Sequence, residues 1–266
     1  MVKKIDGRAI AERIKDNIAK EIFDFHGPRP NLAIILVGER EDSKLYVSLK
    51  EREGKKVGVD THLYRLEETT SEQEILDTIN FLNNDPLIDG ILLQLPLPAK
   101  FDTDKIIRAI KSDKDVDGFH PEHPDFIVSP VIAAVAACLE EISFISANKT
   151  VCVFYNSKVF GEGVKKMLEN KGLEVLPPEK SDEADVLVSA LGLPHSIKKE
   201  IIKKGVVMID IGTTKVEGKV LGDIDYEDVK DKAEYITPVP GGIGPMTIAF
   251  LFQNVLEIFK RKQNDQ

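Results

Sequence analysis

Cysteine is scarce: Cys138 and Cys152 are the only two among 266 residues. Each lies in an apolar run, Ala136 to Leu139 and Val151 to Phe154, where a free thiol serves as a small core residue. This composition encodes neither a disulfide framework nor a cysteine-based metal site. No stretch approaches the roughly 18 consecutive apolar residues of a membrane span. The start, Met1-Val2-Lys3-Lys4, leads through Asp6 and Arg8 into an amphipathic segment rather than an apolar signal region. A membrane partner is therefore not expected, and the expected location is cytoplasmic. Positive charge is in deficit too. With 36 Lys and Arg against 45 Asp and Glu the formal net charge is -9, so a nucleic acid would find no excess of cations to replace its counterions. A small-molecule substrate fits better. Internal repeats and low-complexity tracts are absent, and the polar tail Lys260 to Gln266 reads as frayed.

What is present is 42% hydrophobic and 30% charged, enough for one large or two modest cores. Ile10, Ile14, Ile18 and Ile22 recur every fourth position with charge between them, which predicts an amphipathic helix ending near Gly27-Pro28. The apolar run Leu32 to Val37 stops at Gly38, as a buried strand feeding a loop does. A helix over 43–56, a strand from His62 to Leu66 and a helix from Ser71 to Leu82 follow, with Ser71 and Glu74 at capping-box spacing. Gly90 to Leu95 reads as a buried strand closed by Pro96 and Pro98, which cannot continue a central ladder. This is the βαβ rhythm of a parallel sheet.

The rhythm restarts after a connecting helix over 130–141. Val151 to Tyr155, Leu173 to Leu176, Asp185 to Ala190 and Val206 to Ile211 read as strands. Helices are expected from Glu162 to Asn170, around Ile197 to Lys203, and finally from about Met246 to Lys262. The expected fold is α/β with two domains, one over 1–130 to which residues 246–266 return, and one over 131–245.

Four stretches carry residues suited to chemistry. Tyr46 and Lys50 stand four apart and share a helix face, where a ring can stack on a flat substrate while an amine moves a proton. Alone, the pair reads equally as a surface pair with packed stems. Gln94, in Gln94-Leu95-Pro96-Leu97-Pro98, lies near the carboxyl end of a strand, where parallel sheets place ligand crevices; a neighbouring loop backbone could also satisfy its amide. Lys114-Asp115-Val116-Asp117-Gly118 is either a turn or a carboxylate placed to accept paired N–H donors from a heterocycle. The most distinctive stretch is Thr237-Pro238-Val239-Pro240-Gly241-Gly242-Ile243-Gly244-Pro245-Met246-Thr247. Its glycines permit close backbone approach to a ligand ahead of a helix N-terminus.

In this order and at these separations, together with the opening Ile5-Asp6-Gly7-Arg8-Ala9, these stretches resemble the bifunctional methylenetetrahydrofolate dehydrogenase/methenyltetrahydrofolate cyclohydrolase family. The resemblance covers almost the whole chain. It implies a folate-binding catalytic domain over 1–130 and a Rossmann-like dinucleotide-binding domain over 131–245, with the substrate in a cleft between them. Tyr46 would stack on the folate, Lys50 transfer the proton, Gln94 orient Lys50, and Asp117 bind the pterin edge, with Pro240, Gly241 and Gly242 also at the substrate. NADP or NAD would be the cofactor, held by Asn156, Ser157, Gly161, Gly212 and Thr213, and the chain would form a homodimer. The family passes hydride from 5,10-methylenetetrahydrofolate to the nicotinamide, then adds water to the methenyl product to give 10-formyltetrahydrofolate.

The second domain departs from the family pattern. Where the family has Gly-Arg-Ser the chain reads Tyr155-Asn156-Ser157, so Asn156 replaces an arginine that can lie near the cofactor 2'-phosphate, and Lys158 is a weak substitute. The family's Cys-His-Ser stretch is absent, shortened to Pro177-Pro178-Glu179-Lys180-Ser181-Asp182. Gly-Ile-Asn reads Gly212-Thr213-Thr214, and Cys-Thr-Pro reads Val128-Ser129-Pro130. Gly161 and Gly163 without a third glycine are a weak dinucleotide signal. Two alternatives follow: a cyclohydrolase with lost or weak dehydrogenase activity, and a non-enzymatic folate-binding protein.

Overall fold

The computed structural model describes residues 2–144 and 148–264, apart from the side chains of Lys158 and Val159. In chain order the elements begin with β1 (Lys3–Lys4), α1 (Gly7–Asp24), β2 (Asn31–Val37), α2 (Glu41–Val57), β3 (Asp60–Leu66), α3 (Glu72–Asn84), β4 (Gly90–Leu93), α4 (Thr103–Ala109) and α5 (Pro130–Glu141). They continue with β5 (Thr150–Tyr155), α6 (Lys158–Asn170), β6 (Glu174–Leu176), β7 (Val186–Ala190), β8 (Val207–Asp210), β9 (Thr214–Val216), β10 (Lys219–Leu221), α7 (Tyr226–Val229), β11 (Tyr235–Ile236) and α8 (Ile243–Asn264). The chain divides into two compact units, 12–130 with 248–266 and 1–11 with 131–247.

The first unit is built on a three-stranded sheet, β3-β2-β4, parallel throughout. Its central strand is buried on both faces, so it reads as a continuous apolar run rather than an alternating one. Leu32, Ile34 and Leu36 face a core shared with Val47 and Val57 of α2 and with Leu251, Phe252 and Val255 of α8. Ala33, Ile35 and Val37 face the opposite core, with Ile75 and Ile79 of α3 and Ile106 of α4. Ser71 and Glu74 close the capping box at the start of α3. Gly58, left-handed at φ 86°, ends α2, a conformation that favours glycine. β4 stops at Leu93 rather than Leu95; Gln94 still donates its backbone N–H to Ile35 at 2.9 Å, but Pro96 has no N–H to extend the ladder.

The second unit carries a six-stranded sheet in the order β1-β11-β8-β7-β5-β6, every pairing parallel. From β5 the chain steps outward to β6 and then crosses back to β7 on the other side. The order therefore reverses between β5 and β7, and the ligand crevice of such a sheet lies at their carboxyl ends. A small antiparallel hairpin, β9 with β10, follows β8.

Three local readings are corrected. The helix expected around Ile197 to Lys203 is a single 3₁₀ turn, Lys199–Ile201, because only Ile197 and Ile202 are buried there and no continuous apolar face forms. The tail read as frayed is helical through Asn264, where Lys262 donates to Asp89 at 2.7 Å; Asp265 and Gln266 lie outside the described residues. Residues 1–11 group with 131–247 rather than with the segment that follows them, since β1 pairs with β11, a pairing too short to read from sequence.

Candidate active site

Tyr46, Lys50, Gln94 and Asp117 all belong to the three-stranded unit. α2 places Tyr46 and Lys50 one turn apart on one face. Tyr46 is 42% exposed, leaving its ring open to a flat ligand. Lys50 is half-buried, and its Nζ donates to Gln94 Oε1 at 2.8 Å. Gln94 is buried, and its own Nε2 donates to the Leu95 carbonyl at 2.6 Å, which leaves the side-chain oxygen for the lysine.

Asp117 reaches the same neighbourhood through backbone pairing. The Ile91 N–H donates to Lys114 O at 2.7 Å, forming a parallel bridge between β4 and the segment that ends at Gly118. Asp115 is buried and accepts the N–H groups of Asp117 at 3.2 Å and His120 at 2.6 Å. Gly118 sits at φ +64°, and a Cβ there would lie 3.1 Å from the Ser129 nitrogen, so the turn favours glycine on both counts. From α8, Asn254 donates Nδ2 to Val116 O at 2.8 Å and to Val128 O at 2.9 Å. Sequence reasoning missed Asn254; the available signal is an amide between the apolar pairs Leu251-Phe252 and Val255-Leu256.

The electrostatics suit proton transfer. Burial pushes the Lys50 ammonium below its ordinary range, while the charge of Asp117 opposes that fall. Burial also pushes the Asp117 carboxyl up to about 6, with Lys50 pulling it down and Asp115 adding to the rise. An amine moved toward neutrality beside a carboxyl moved toward its protonated form is the condition a general acid/base pair needs. A cavity of about 610 Å³ in this unit, lined by Asp89, Lys114, Phe126, Arg261 and Lys262 among others, includes none of these residues. Its lysines hold carbonyls in the last turn of α3 and just beyond it: Lys114 donates to Leu82 O and Asp85 O, and Lys262 to Pro86 O.

Pro240, Gly241 and Gly242 belong to the six-stranded unit, where Val239-Pro240 is a cis peptide and Gly241 stands at φ +113°. The opening motif packs onto this loop: a Cβ on Gly7 would fall 1.9 Å from Gly242 O, and one on Gly241 would lie 3.3 Å from Arg8 Nε. The first motif of the sequence and its Gly/Pro-rich loop are thus one structural feature.

The remaining residues lie at the carboxyl ends of the six-stranded sheet. Asn156 and Ser157 follow β5, and Gly212 and Thr213 follow β8. Asn156 donates Nδ2 to Leu191 O at 2.9 Å, joining the ends of β5 and β7. Ser157 is the N-cap of α6 and makes no side-chain capping bond. Gly161 is tightly covered, since a Cβ there would meet the Tyr155 ring at 2.2 Å; the Tyr155 hydroxyl donates to Glu162 and accepts from Lys165, each at 3.0 Å. Gly212 faces the Asp223 carboxylate, 2.2 Å from where its Cβ would stand, and Thr213 is exposed. The side chain of Lys158 lies outside the described residues. The sheet order and the helix N-terminus after β5 fit a nicotinamide dinucleotide, although Tyr155 fills the room beside Gly161.

Two domain models of one family match the chain. The tetrahydrofolate dehydrogenase/cyclohydrolase catalytic-domain model matches residues 5–117. The NAD(P)-binding-domain model of the same family matches residues 130–263. The chain is 42% identical to the bifunctional protein FolD of Geotalea daltonii, covering 98% of this chain and 100% of that protein. Among solved structures it resembles the FolD methylenetetrahydrofolate dehydrogenase/cyclohydrolase of Campylobacter jejuni, with a TM-score of 0.93, 32% identity and full coverage of both chains. It also resembles the Trypanosoma brucei enzyme complexed with NADP and an inhibitor, with a TM-score of 0.90, 31% identity and 98% coverage of each chain.

Proposed function

The chain belongs to the tetrahydrofolate dehydrogenase/cyclohydrolase family, and from that premise we propose that it interconverts 5,10-methylene-, 5,10-methenyl- and 10-formyltetrahydrofolate. One observation carries the reading: Lys50, with a lowered pKa, donates to Gln94 at 2.8 Å. In the hydrolytic step the neutral amine takes the proton of the water attacking the methenyl carbon; the resulting ammonium protonates the departing ring nitrogen as the ring C–N bond breaks, and the adduct hydroxyl loses its proton to solvent as the formyl C=O forms. Gln94 holds the amine in place, Tyr46 stacks on the folate, and Asp117, when ionised, accepts paired N–H groups of the pterin. In the dehydrogenation, a bound nicotinamide cofactor, NAD or NADP, supplies the hydride acceptor. Asn156, Ser157, Gly161, Gly212 and Thr213 would border its site, with Ser157 and the first turn of α6 as the anion-binding helix N-terminus that would hold the phosphates, while Pro240, Gly241 and Gly242 are assigned to the folate.

A two-part assay tests the proposal, following hydrolysis of methenyltetrahydrofolate and, separately, reduction of NAD and of NADP with methylenetetrahydrofolate. Turnover in both parts is expected; turnover in neither would leave a folate-binding protein. A homodimer in the cytoplasm completes the reading on family resemblance. Light scattering tests the dimer, which a mass of 29.6 kDa, that of one chain, would rule out.

A further inference from the structure

Three consecutive residues after β7, Leu191, Gly192 and Leu193, are held by side chains from three separate places in the six-stranded unit. Asn156, after β5, donates to Leu191 O at 2.9 Å. Thr214, at the start of β9, donates its hydroxyl to Gly192 O at 3.2 Å. Asp223, after β10, accepts the Leu191 N–H on Oδ2 at 2.7 Å and the Leu193 N–H on Oδ1 at 2.8 Å. The Ser189 hydroxyl steadies Oδ2 at 2.8 Å. Asp223 and Ser189 are both fully buried.

A second carboxylate fixes the first. Asp210, the last residue of β8, accepts the N–H groups of Asp223 at 3.1 Å and Ile224 at 2.9 Å, and that of Gly212 at 3.0 Å. Gly212 also lies against the Asp223 carboxylate. Asp223 therefore fixes the loop after β7, one wall of the crevice at the reversal between β5 and β7, and packs against the loop after β8 that Asp210 holds. Leu193, 56% exposed, projects an apolar side chain from a segment whose backbone is thus immobilised.

We propose that Asp223 is a positioning residue for the nicotinamide cofactor, acting through the backbone of Leu191 to Leu193; this rests on the dehydrogenase reading above. The carboxylate suits the task because both of its oxygens accept. An amide has one accepting oxygen, so at least one of the two N–H groups would lose its partner and the segment would move.

The test is Asp223→Asn in the full chain, with NADH and NADPH binding titrated by nicotinamide fluorescence and cyclohydrolase turnover and thermal melting measured alongside. Affinity for the cofactor that wild type binds is expected to fall about tenfold or more. The dehydrogenase KM for that cofactor should rise in proportion, with kcat at saturating cofactor and cyclohydrolase turnover close to wild type. A folded variant with unchanged cofactor affinity overturns the role, as does an equal fall in kcat and cyclohydrolase turnover. If Asp223→Asn does not fold, Ser189→Ala loosens the same carboxylate while leaving both backbone bonds. It should weaken binding by about threefold, and unchanged affinity there is equally decisive. Failure of wild type to bind either cofactor would overturn the dehydrogenase reading together with this role; wild-type binding with an indifferent Asp223 overturns this role alone.

Discussion

Lys50 Nζ and Gln94 Oε1 stand 2.8 Å apart although the two residues are 44 positions apart in sequence. One comes from α2, the other from the turn that leaves β4, and both strand and helix are anchored in the same parallel sheet. The bond fixes the amine without adding a charge beside it. Lys50 therefore stays easier to deprotonate than a salt-bridged lysine would be.

Lys50→Met is accordingly expected to abolish cyclohydrolase turnover while folate binding and the melting temperature change little. Lys50→Arg should be as inactive, because a guanidinium does not release its proton in this range. Near-normal hydrolysis by either variant would remove Lys50 from proton transfer.

Asp117 supports the protonated form of Lys50 through its charge. Asp117→Asn removes that charge, so the Lys50 pKa should fall further and the limb of the cyclohydrolase pH profile that reports it should move to lower pH. A shift to higher pH would contradict the arrangement. The wild-type carboxyl, at about 6, accepts paired pterin N–H groups on both oxygens only when ionised. Folate affinity should therefore fall as pH drops below about 6 in the wild type and stay nearly flat in the variant.

Lys15 of α1 and Glu53 of α2 form a buried ion pair at 2.5 Å. Desolvation would raise the Glu53 pKa, but hydrogen bonds from Lys15 and Lys56 outweigh it and hold the carboxyl at about 2. Because the folded value lies below the unfolded one, the stabilisation is complete above the ordinary glutamate pKa and drains away as pH falls toward 2. Lys15→Met should lower stability by about 3 kcal/mol at pH 7. Urea midpoints should show a smaller difference at pH 3, and an equal or larger one would mean that Glu53 is not the group involved.

The cofactor side is expected to favour NAD or to discriminate weakly, with dehydrogenase turnover low relative to hydrolysis. Asn156 has no charge to offer a 2'-phosphate, and its amide is engaged by Leu191 O. Glu179, exposed just beyond β6, occupies the region where dinucleotide folds place an acid against the ribose. Glu179→Ala should raise kcat/KM for NADP relative to NAD. Efficient wild-type turnover with a clear preference for NADP would show that another cation reads the phosphate.

Periodicity and apolar runs determined the parallel α/β rhythm, because burial on two faces leaves continuous runs such as Leu32 to Val37, and a capping box is a local device that Ser71 and Glu74 complete within one turn. The four residues of the folate half stood out through the order and spacing of their motifs, which resemble those of one family; each alone read equally as a surface pair, a satisfied amide or a turn. Tertiary structure alone decided what those residues meet. The Lys50–Gln94 bond, the bridge that carries Asp117 to β4, and the hold of Asn254 on Val116 and Val128 all join segments distant in sequence. Nothing local in the sequence marks Asp210 and Asp223; the fold buries them against backbone N–H groups. Local sequence sets which side chains share a face, but burial, and with it the pKa of Lys50 and the grip of Asp223, depends on what the rest of the chain packs around them.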